Sequence, residues 1–436
     1  MKVLVLGSGG REHALVWKLA RSPRITRLQV APGNAGTSEE RLEASGDPVE
    51  NVPISAEDLP ALLDWARRHK PDFTVVGPDN PLALGVVDLF RDAGFRIWGP
   101  TREAARFEAS KAFSQEFMER HGIPTARAGT FTDAAAARRF CASLGGRCAV
   151  KADGLALGKG VLLTTDLAAA EQAVDDILVR GVFGAAGARI VIQERLEGRE
   201  VSLHALTDGR CYRLFPSSQD HKRIHDGDQG PNTGGMGTYS PAPFLADDAL
   251  AAAGREVLAP WLRGCMRDGI EFQGLIYPGI MLTAAGPRVI EFNARFGDPE
   301  TQVYLPRMQN DLLELLEACV DGTLDRHTLR WSSRSSVCVV AASAGYPGSS
   351  VKGLPIQGLE TVHGLPDVKV FHAGTTMREE AVVTNGGRVL GVTAWAGTLA
   401  TARNKAYEAL DRIQFEGMQF RRDIAAQALT SAEFQS

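Results

Sequence analysis

The sequence predicts a multidomain protein of the α/β and α+β classes. It has an open parallel α/β sheet at the amino terminus, a central domain with a mobile glycine-rich hairpin, and a small carboxy-terminal α+β domain. Three observations predict it. At 436 residues the chain is too long for one ordinary core. Residues 1–107 alternate short apolar runs with helical periodicity, the pattern of parallel strands covered on both faces. Beyond residue 197 alternating strand patterns take over. These shifts place domains at 1–107, 108–330 and 331–436, with the hairpin subdomain at about 125–192.

Taken in order, VLVL (3–6) reads as a buried strand, Arg11 to Arg21 as a helix and RLQVA (27–31) as a second strand. A helix at 59–69, the strand FTVVGP (73–78), a helix at 82–94 and FRIWGP (95–100) complete the first domain. A helix over Ser110–His121 leads to CAVKADG (148–154), a glycine loop and VLLTT (161–165), then a helix at Leu167–Val179 and the strand RIVIQERL (189–196). VSLHALTDG, CYRLFPSS, LIYPGIMLT and RVIEFNARF read as strands, with helices near 247–268 and 310–320 and a long loop from Asp220 to Pro243. From 331 onward SVCVVAAS, VKVFHAGT and RVLGVTAWAG are strands. A capped helix from Thr398 to Ile413 presents Leu399, Ala402, Ala406, Ala409, Leu410 and Ile413 on its apolar face.

Composition narrows the function. The apolar share of 44% and charged share of 23% are those of soluble globular proteins. Net charge is 48 − 52 = −4, which gives no basic field for nucleic acid. The apolar start of MKVLVLGSGG is too short for a secretory leader, and no apolar run approaches the ~18 residues of a membrane span. Six cysteines without a C-x-x-C pair form neither a disulfide framework nor a zinc signature, as expected for buried thiols in a reducing cytoplasm. The expectation is a cytoplasmic protein, a monomer or small homo-oligomer, with small-molecule partners and no nucleic acid or membrane.

Two glycine loops and one strand carry chemistry. GSGGREHAL (7–15) follows a strand and opens a helix, where backbone N–H groups can hold a phosphate. It is not a dinucleotide fingerprint: Glu12 stands where the third glycine belongs, and the second strand ends in Ala31-Pro32-Gly33 without an acid. VAPGNAGT (30–37) and GPDNPL (77–82) fall at the same sheet edge. VKADGLALGKGV (150–161) is not a Walker A loop either, because Gly160 replaces Ser or Thr and a strand follows. A strand–loop–strand hairpin with Lys151, Gly158, Lys159 and Gly160 reads as a flap over a polyphosphate, with Lys111 on the preceding helix.

In RVIEFNARFGDPETQ (288–302), strand alternation sends Ile290 and Phe292 to the core and Glu291, Asn293 and Arg295 to the opposite face. A carboxylate and an amide oxygen two residues apart can share magnesium, which needs few protein ligands when phosphates and waters complete its shell. An arginine beside them can neutralise a transferring phosphoryl group. Asp298 and Glu300 either touch substrate or form a turn. His221 and His225 at i, i+4 would need a helix to share a transition metal, and the surrounding glycines oppose one. Backbone groups at Glu194–Leu196 can read an adenine edge, and Glu200 can accept ribose hydroxyls.

Together, GSGGREHAL, VAPGNAGT, VKADGLALGKGV, QDHKR, GPNTGGMG, YSP and RFGDPETQ resemble the ATP-grasp superfamily and, within it, the phosphoribosylamine–glycine ligases, in order and spacing over essentially the whole chain. The resemblance implies that the central domain is an ATP-grasp fold using ATP as co-substrate with Mg2+ or Mn2+. It implies that Lys111, Lys151 and Gly158–Gly160 contact phosphates, that Glu194 and Leu196 flank adenine, and that Glu200 meets ribose. Glu291 and Asn293 would hold the metal. Gly9, Gly10, Asn34, Asp79, Gly235, Met236 and Asp298 would hold phosphoribosylamine and glycine. Arg295, Lys151 and Asp220 would serve catalysis. The implied activity joins glycine to phosphoribosylamine through glycyl phosphate, in purine biosynthesis. The competing expectations are another ATP-grasp ligase of the same pathway, a nicotinamide oxidoreductase, which Glu12 opposes, and a non-catalytic nucleotide-binding regulator.

Overall fold

Val3, Leu4, Val5 and Leu6 are all buried, as a strand covered on both faces requires. Val3 and Val5 pack with Ala14 and Leu15, while Leu4 and Leu6 pack with Leu62 and Phe90 on the other side. The computed structural model, which describes residues 1–155 and 160–430, places this strand (Lys2–Gly7) at the centre of a five-stranded parallel sheet. The order is Glu50–Asn51, Arg27–Pro32, Lys2–Gly7, Phe73–Val76, Ile97–Trp98. The stretch 82–94, expected as one helix, is two, Asp79–Leu84 and Val86–Asp92. Gly85 at φ +92° ends the first, a conformation that costs glycine little.

The hairpin subdomain is a four-stranded antiparallel sheet, Ala128–Phe131, Ile190–Glu194, Cys148–Ala152, Val161–Leu163. Two helices back it, each opened by an aspartate that accepts a first-turn N–H: Asp133 from Ala136 and Asp166 from Ala169. The central sheet runs Arg199–Ser202, Gly274–Thr283, Ala205–Thr207, Tyr212–Leu214, and Gly286–Asn293 pairs along Gly274–Thr283. Helices Lys111–His121 and Asp247–Asp268 cover it through a core that includes Phe107, Phe117, Trp261 and Phe292.

The carboxy-terminal sheet corrects one expectation. Residues 220–243 are not one loop: Gln219–Asp220 and Gly237–Ser240 are strands that pair antiparallel and continue into Ser335–Ala342, Arg388–Ala396 and Val368–His372. A boundary at 331 therefore cuts through a sheet in which the two strands at one edge come from the middle of the chain. Helix Leu399–Leu410, capped by Thr398, buries Ala402, Ala406, Ala409 and Leu410 against it.

Candidate active site

A cleft of about 760 Å³ lies where the three regions meet. Its floor is the strand Gly286–Asn293, and the strand's shape corrects the expected alternation. Pairing shifts by one residue between Gly279 and Ile280, so that Glu291 opposes Gly279 and Val289 opposes Ile280, leaving Ile290 as the extra residue of a bulge. Val289 and Phe292 enter the core. Ile290 does not; it lines the cleft with Glu291 and Asn293. The bulge re-aims the strand without separating the two metal-ligand candidates.

The donor set fits a hard divalent cation. The Asn293 amide is oriented by Nδ2, which donates to Tyr277 O at 3.3 Å and leaves Oδ1 as an acceptor, 3.5 Å from Arg295 Nη2. Burial would raise the Glu291 carboxyl, but Lys222, Lys151, Lys111 and Arg295 hold it down at about 2, so it is a carboxylate at any working pH. Lys222 Nζ stands 3.6 Å from Glu291 and also pairs with Glu200. An anionic oxygen and an amide oxygen on one wall, ringed by cations, can hold magnesium against phosphate.

The flap strand reaches this floor. Lys151, 2% exposed, donates from Nζ to Ile290 O at 2.8 Å, and burial pulls its ammonium down to about 8 despite Glu291. Lys111 donates to Gly154 O at 3.1 Å, and Gly160 lines the cleft. Gly158 and Lys159, expected at the phosphates, lie outside the described residues. Glu200 lines the cleft. Glu194 and Leu196 do not: the Glu194 carboxylate accepts from Arg127 N at 2.9 Å, and Gln193 and Gly198 take the wall instead.

On the opposite side, Arg295 pairs with Glu108 at 2.8 Å, and Glu108, Asp79 and Tyr277 raise the guanidinium further despite its burial, so it is a fixed positive charge. Asp79 and Asp298 line the cleft. Asp220 does too. Its Oδ1 is buried without a hydrogen-bond partner among the described residues, and burial together with Glu300 pushes its carboxyl well up. Tyr277 Oη donates to Glu300 at 2.7 Å beneath it.

Five expected substrate contacts are placed differently. Asn34 is buried, its Nδ2 donating to Ser8 O and His372 O at 2.8 Å each and its Oδ1 accepting from Thr37 N; the amide ties the first domain to the last. Met236 is fully buried beside Ile224 and Ala342, a core residue. Gly235, at φ +110°, gives room to Asp220, whose Oδ1 a Cβ would meet at 2.6 Å. Gly9 and Gly10 open the helix Gly10–Leu19, but the seat at its amino end is filled from within. The buried Glu12 carboxylate accepts from Gly9 N at 2.6 Å, and a Cβ on Gly10 would meet Gln302 Nε2 at 2.7 Å. His221 and His225 sit in or beside strands, His221 buried and His225 exposed, and no metal-binding group of three His, Cys, Asp or Glu occurs among the described residues.

Sequence reasoning missed Lys222, Glu108, Arg11 and Arg388, all on the cleft wall. Lys222 had a signal: it follows Asp220 at the same two-residue step as Asn293 follows Glu291. Glu108 and Arg388 had none, because each reaches the cleft from a separate element.

The sequence matches the phosphoribosylglycinamide synthetase N domain over residues 1–108, the ATP-grasp (A) domain over 109–301 and the C domain over 336–427. It is 50% identical over 430 residues to phosphoribosylamine–glycine ligase of Allochromatium vinosum, covering 98% of this chain and 99% of that one. It is 48% identical over 436 residues to the same enzyme of Escherichia coli O157:H7, covering 98% and 99%. The fold is similar to the crystal structure of phosphoribosylamine–glycine ligase from Thermotoga maritima, at TM-score 0.83 and 31% identity over 98% of this chain and 100% of that one. A biotin carboxylase domain from Hydrogenobacter thermophilus, solved with MgADP, shares the fold at TM-score 0.74 and 18% identity over 96% and 91%.

Proposed function

The chain belongs to the phosphoribosylglycinamide synthetase family, and from that premise we infer that it joins glycine to 5-phosphoribosylamine at the expense of ATP. It is a carbon–nitrogen ligase of purine biosynthesis, yielding glycinamide ribonucleotide, ADP and phosphate. The observation that carries the site assignment is the pairing of Glu291 and Asn293 on one cleft wall with Lys151 reaching that wall from the flap strand.

The reaction runs in two displacements. A carboxylate oxygen of glycine attacks the γ-phosphorus, and the bond to the β-γ bridging oxygen breaks, releasing ADP and leaving glycyl phosphate. The neutral amine of phosphoribosylamine then attacks the acyl carbon, phosphate leaves with its bonding pair, and the new amide nitrogen loses a proton. Lys111 and Lys151 balance charge on the triphosphate, and Arg295 does so beside the reacting carboxylate and phosphoryl group. Glu200 accepts from the ribose, and the hairpin excludes water that would hydrolyse the acyl phosphate. Glu291 and Asn293 hold Mg2+, or Mn2+ in its place, which when bound neutralises phosphate oxygens. Asp220, Asp79 and Asp298 face the amine side, where Asp220, whose buried Oδ1 has no hydrogen-bond partner among the described residues, is placed to bond the incoming amine, and the proton lost from the nitrogen can pass to the departing phosphate. The enzyme works in the cytoplasm as a monomer or small homo-oligomer. No helix among the described residues is long and apolar enough to cross a membrane.

The test is ADP release across a panel of amino acids with phosphoribosylamine generated in place. ADP should accumulate only when glycine and phosphoribosylamine are both present; equal release with bicarbonate or formate would overturn the assignment.

A further inference from the structure

Arg388 opens the strand Arg388–Ala396 of the carboxy-terminal sheet, yet its head group ends on the cleft wall. Its Nη1 donates to the carbonyls of Asp298 at 2.7 Å, Gly234 at 2.5 Å and Gly235 at 3.5 Å, and its Nη2 pairs with Asp298 Oδ2 at 3.0 Å. Gly234 permits the approach, since a Cβ there would lie 3.1 Å from the guanidinium carbon. One side chain thus fixes the turn at 234–235 and the Asp298 carboxylate together.

Those two features lie on the side of the cleft next to the first domain, which the ligase reading gives to the amine. A Cβ on Gly9 would come within 3.4 Å of Asp298 Oδ2, so the carboxylate abuts the glycine loop of the first domain, and Gly235 packs on Asp220. Arg388 has no hydrogen bond or ion pair to Lys111, Lys151, Lys222, Glu200 or Glu291 among the described residues. A carboxylate offers about four acceptor positions. Arg388 occupies one and Gln302 Nε2, at 2.8 Å from Oδ1, a second. The remainder can receive amine or hydroxyl donors of a sugar amine. Burial would favour neutral Asp298, but Arg388, Arg11 and Gln302 hold its carboxyl below the usual range, so it meets such donors as an anion.

We propose that Arg388 is a positioning residue for the amine acceptor: by clamping Asp298 to the 234–235 turn, it makes the carboxy-terminal domain set the affinity for phosphoribosylamine and not for ATP or glycine. This rests on the ligase assignment above. It gives the last domain a part in the reaction through one guanidinium whose forked geometry lysine cannot reproduce.

The experiment measures the KM of each substrate for Arg388→Gln, Arg388→Lys and Asp298→Asn, with glycyl hydroxamate trapped by hydroxylamine in place of the sugar amine. The KM for phosphoribosylamine should rise roughly 100-fold in Arg388→Gln and Asp298→Asn and roughly tenfold in Arg388→Lys, the size expected for breaking a buried charge pair. The KM values for ATP and glycine and the hydroxamate rate should stay within about threefold, and the Arg388→Gln/Asp298→Asn double variant should be little worse than either single one. A parallel loss of all three KM values and of hydroxamate, or no loss at all, overturns the proposal. If Arg388→Gln fails to fold, Arg388→Lys and Asp298→Asn must still show the asymmetry, and its absence there overturns it equally. Wild-type enzyme that yields no hydroxamate would refute the glycyl phosphate step alone, since the KM asymmetry is read from ADP release.

Discussion

Two places in this molecule are built to receive negative charge, and they are filled differently. At the amino end of helix Gly10–Leu19 the anion is the protein's own: Glu12 folds back onto Gly9 N, and Gly77 and Gly7 leave the space, since a Cβ on either would lie 2.1 Å or 2.4 Å from the Glu12 side chain. In the cleft, Lys111, Lys151 and Lys222 stand around Glu291, with Glu200 paired to Lys222, so that three cations face two carboxylates and positive charge is left over for an anion such as a polyphosphate. Both places are marked by glycines and a strand end. The difference teaches that glycines announce room, while the charges packed around the room decide who occupies it. Damage to the closed seat should therefore appear in stability, and damage to the open one in turnover.

The largest expected effect is in the cleft. Glu291→Gln should lower turnover by two or more orders of magnitude, roughly 3–4 kcal/mol, with the thermal midpoint little changed. Steady-state rates over a magnesium titration check this; near-normal activity with unchanged metal dependence would break the comparison.

Next comes the closed region, where His13 and His372 are buried beside the Asn34 bridge. Burial lowers His372 to about 3, with His13 and Lys369 adding to it, so the unfolded chain takes up a proton near 6.5 and the folded one does not. A depressed pKa means stability present above 6.5 and lost as pH falls, roughly 1.4 kcal/mol per unit, or about 3 kcal/mol by pH 4.5. Urea unfolding across pH 4.5–7.5 measures it, and His372→Gln should flatten that limb.

A smaller effect probes the glycine that makes room. Gly77→Ala should destabilise by about 1–3 kcal/mol through overpacking on Glu12, and Glu12→Ala should relieve most of that. Equal losses in both backgrounds would mean that Glu12 is not what the space is for.

The smallest returns to the open seat. Because Lys151 titrates at about 8, its charge is present below that pH and lost above it. The KM for ATP should rise by up to about tenfold per unit above pH 8. Lys151→Arg should shift that limb upward, and a pH-independent KM from 7 to 10 would remove Lys151 from the phosphates.

By itself the sequence determined the strand–helix alternation of the first domain and the strands on either side of the glycine hairpin, because apolar periodicity is a local property; it did not show Ala128–Phe131, the helix Ala134–Ser143 or the strands within 219–240. It placed Glu291 and Asn293, two residues apart, on one side of their strand, and both line the cleft. Tertiary structure alone decided that Ile290 is bulged out of the core, that Glu12 rather than a ligand fills the first glycine loop, and that Asn34 and Met236 are structural. It alone brought Gln219–Asp220 and Gly237–Ser240 into the last sheet and delivered Lys222, Glu108 and Arg388 to the cleft. The physical reason is that periodicity proposes a face for each side chain, while pairing and packing decide it. The bulge at Ile290 is set by the register with Gly279 and Ile280, the seat of Glu12 by Gly9 and by the room at Gly77, and what lies opposite the other residues by elements distant in the chain, which no local pattern records.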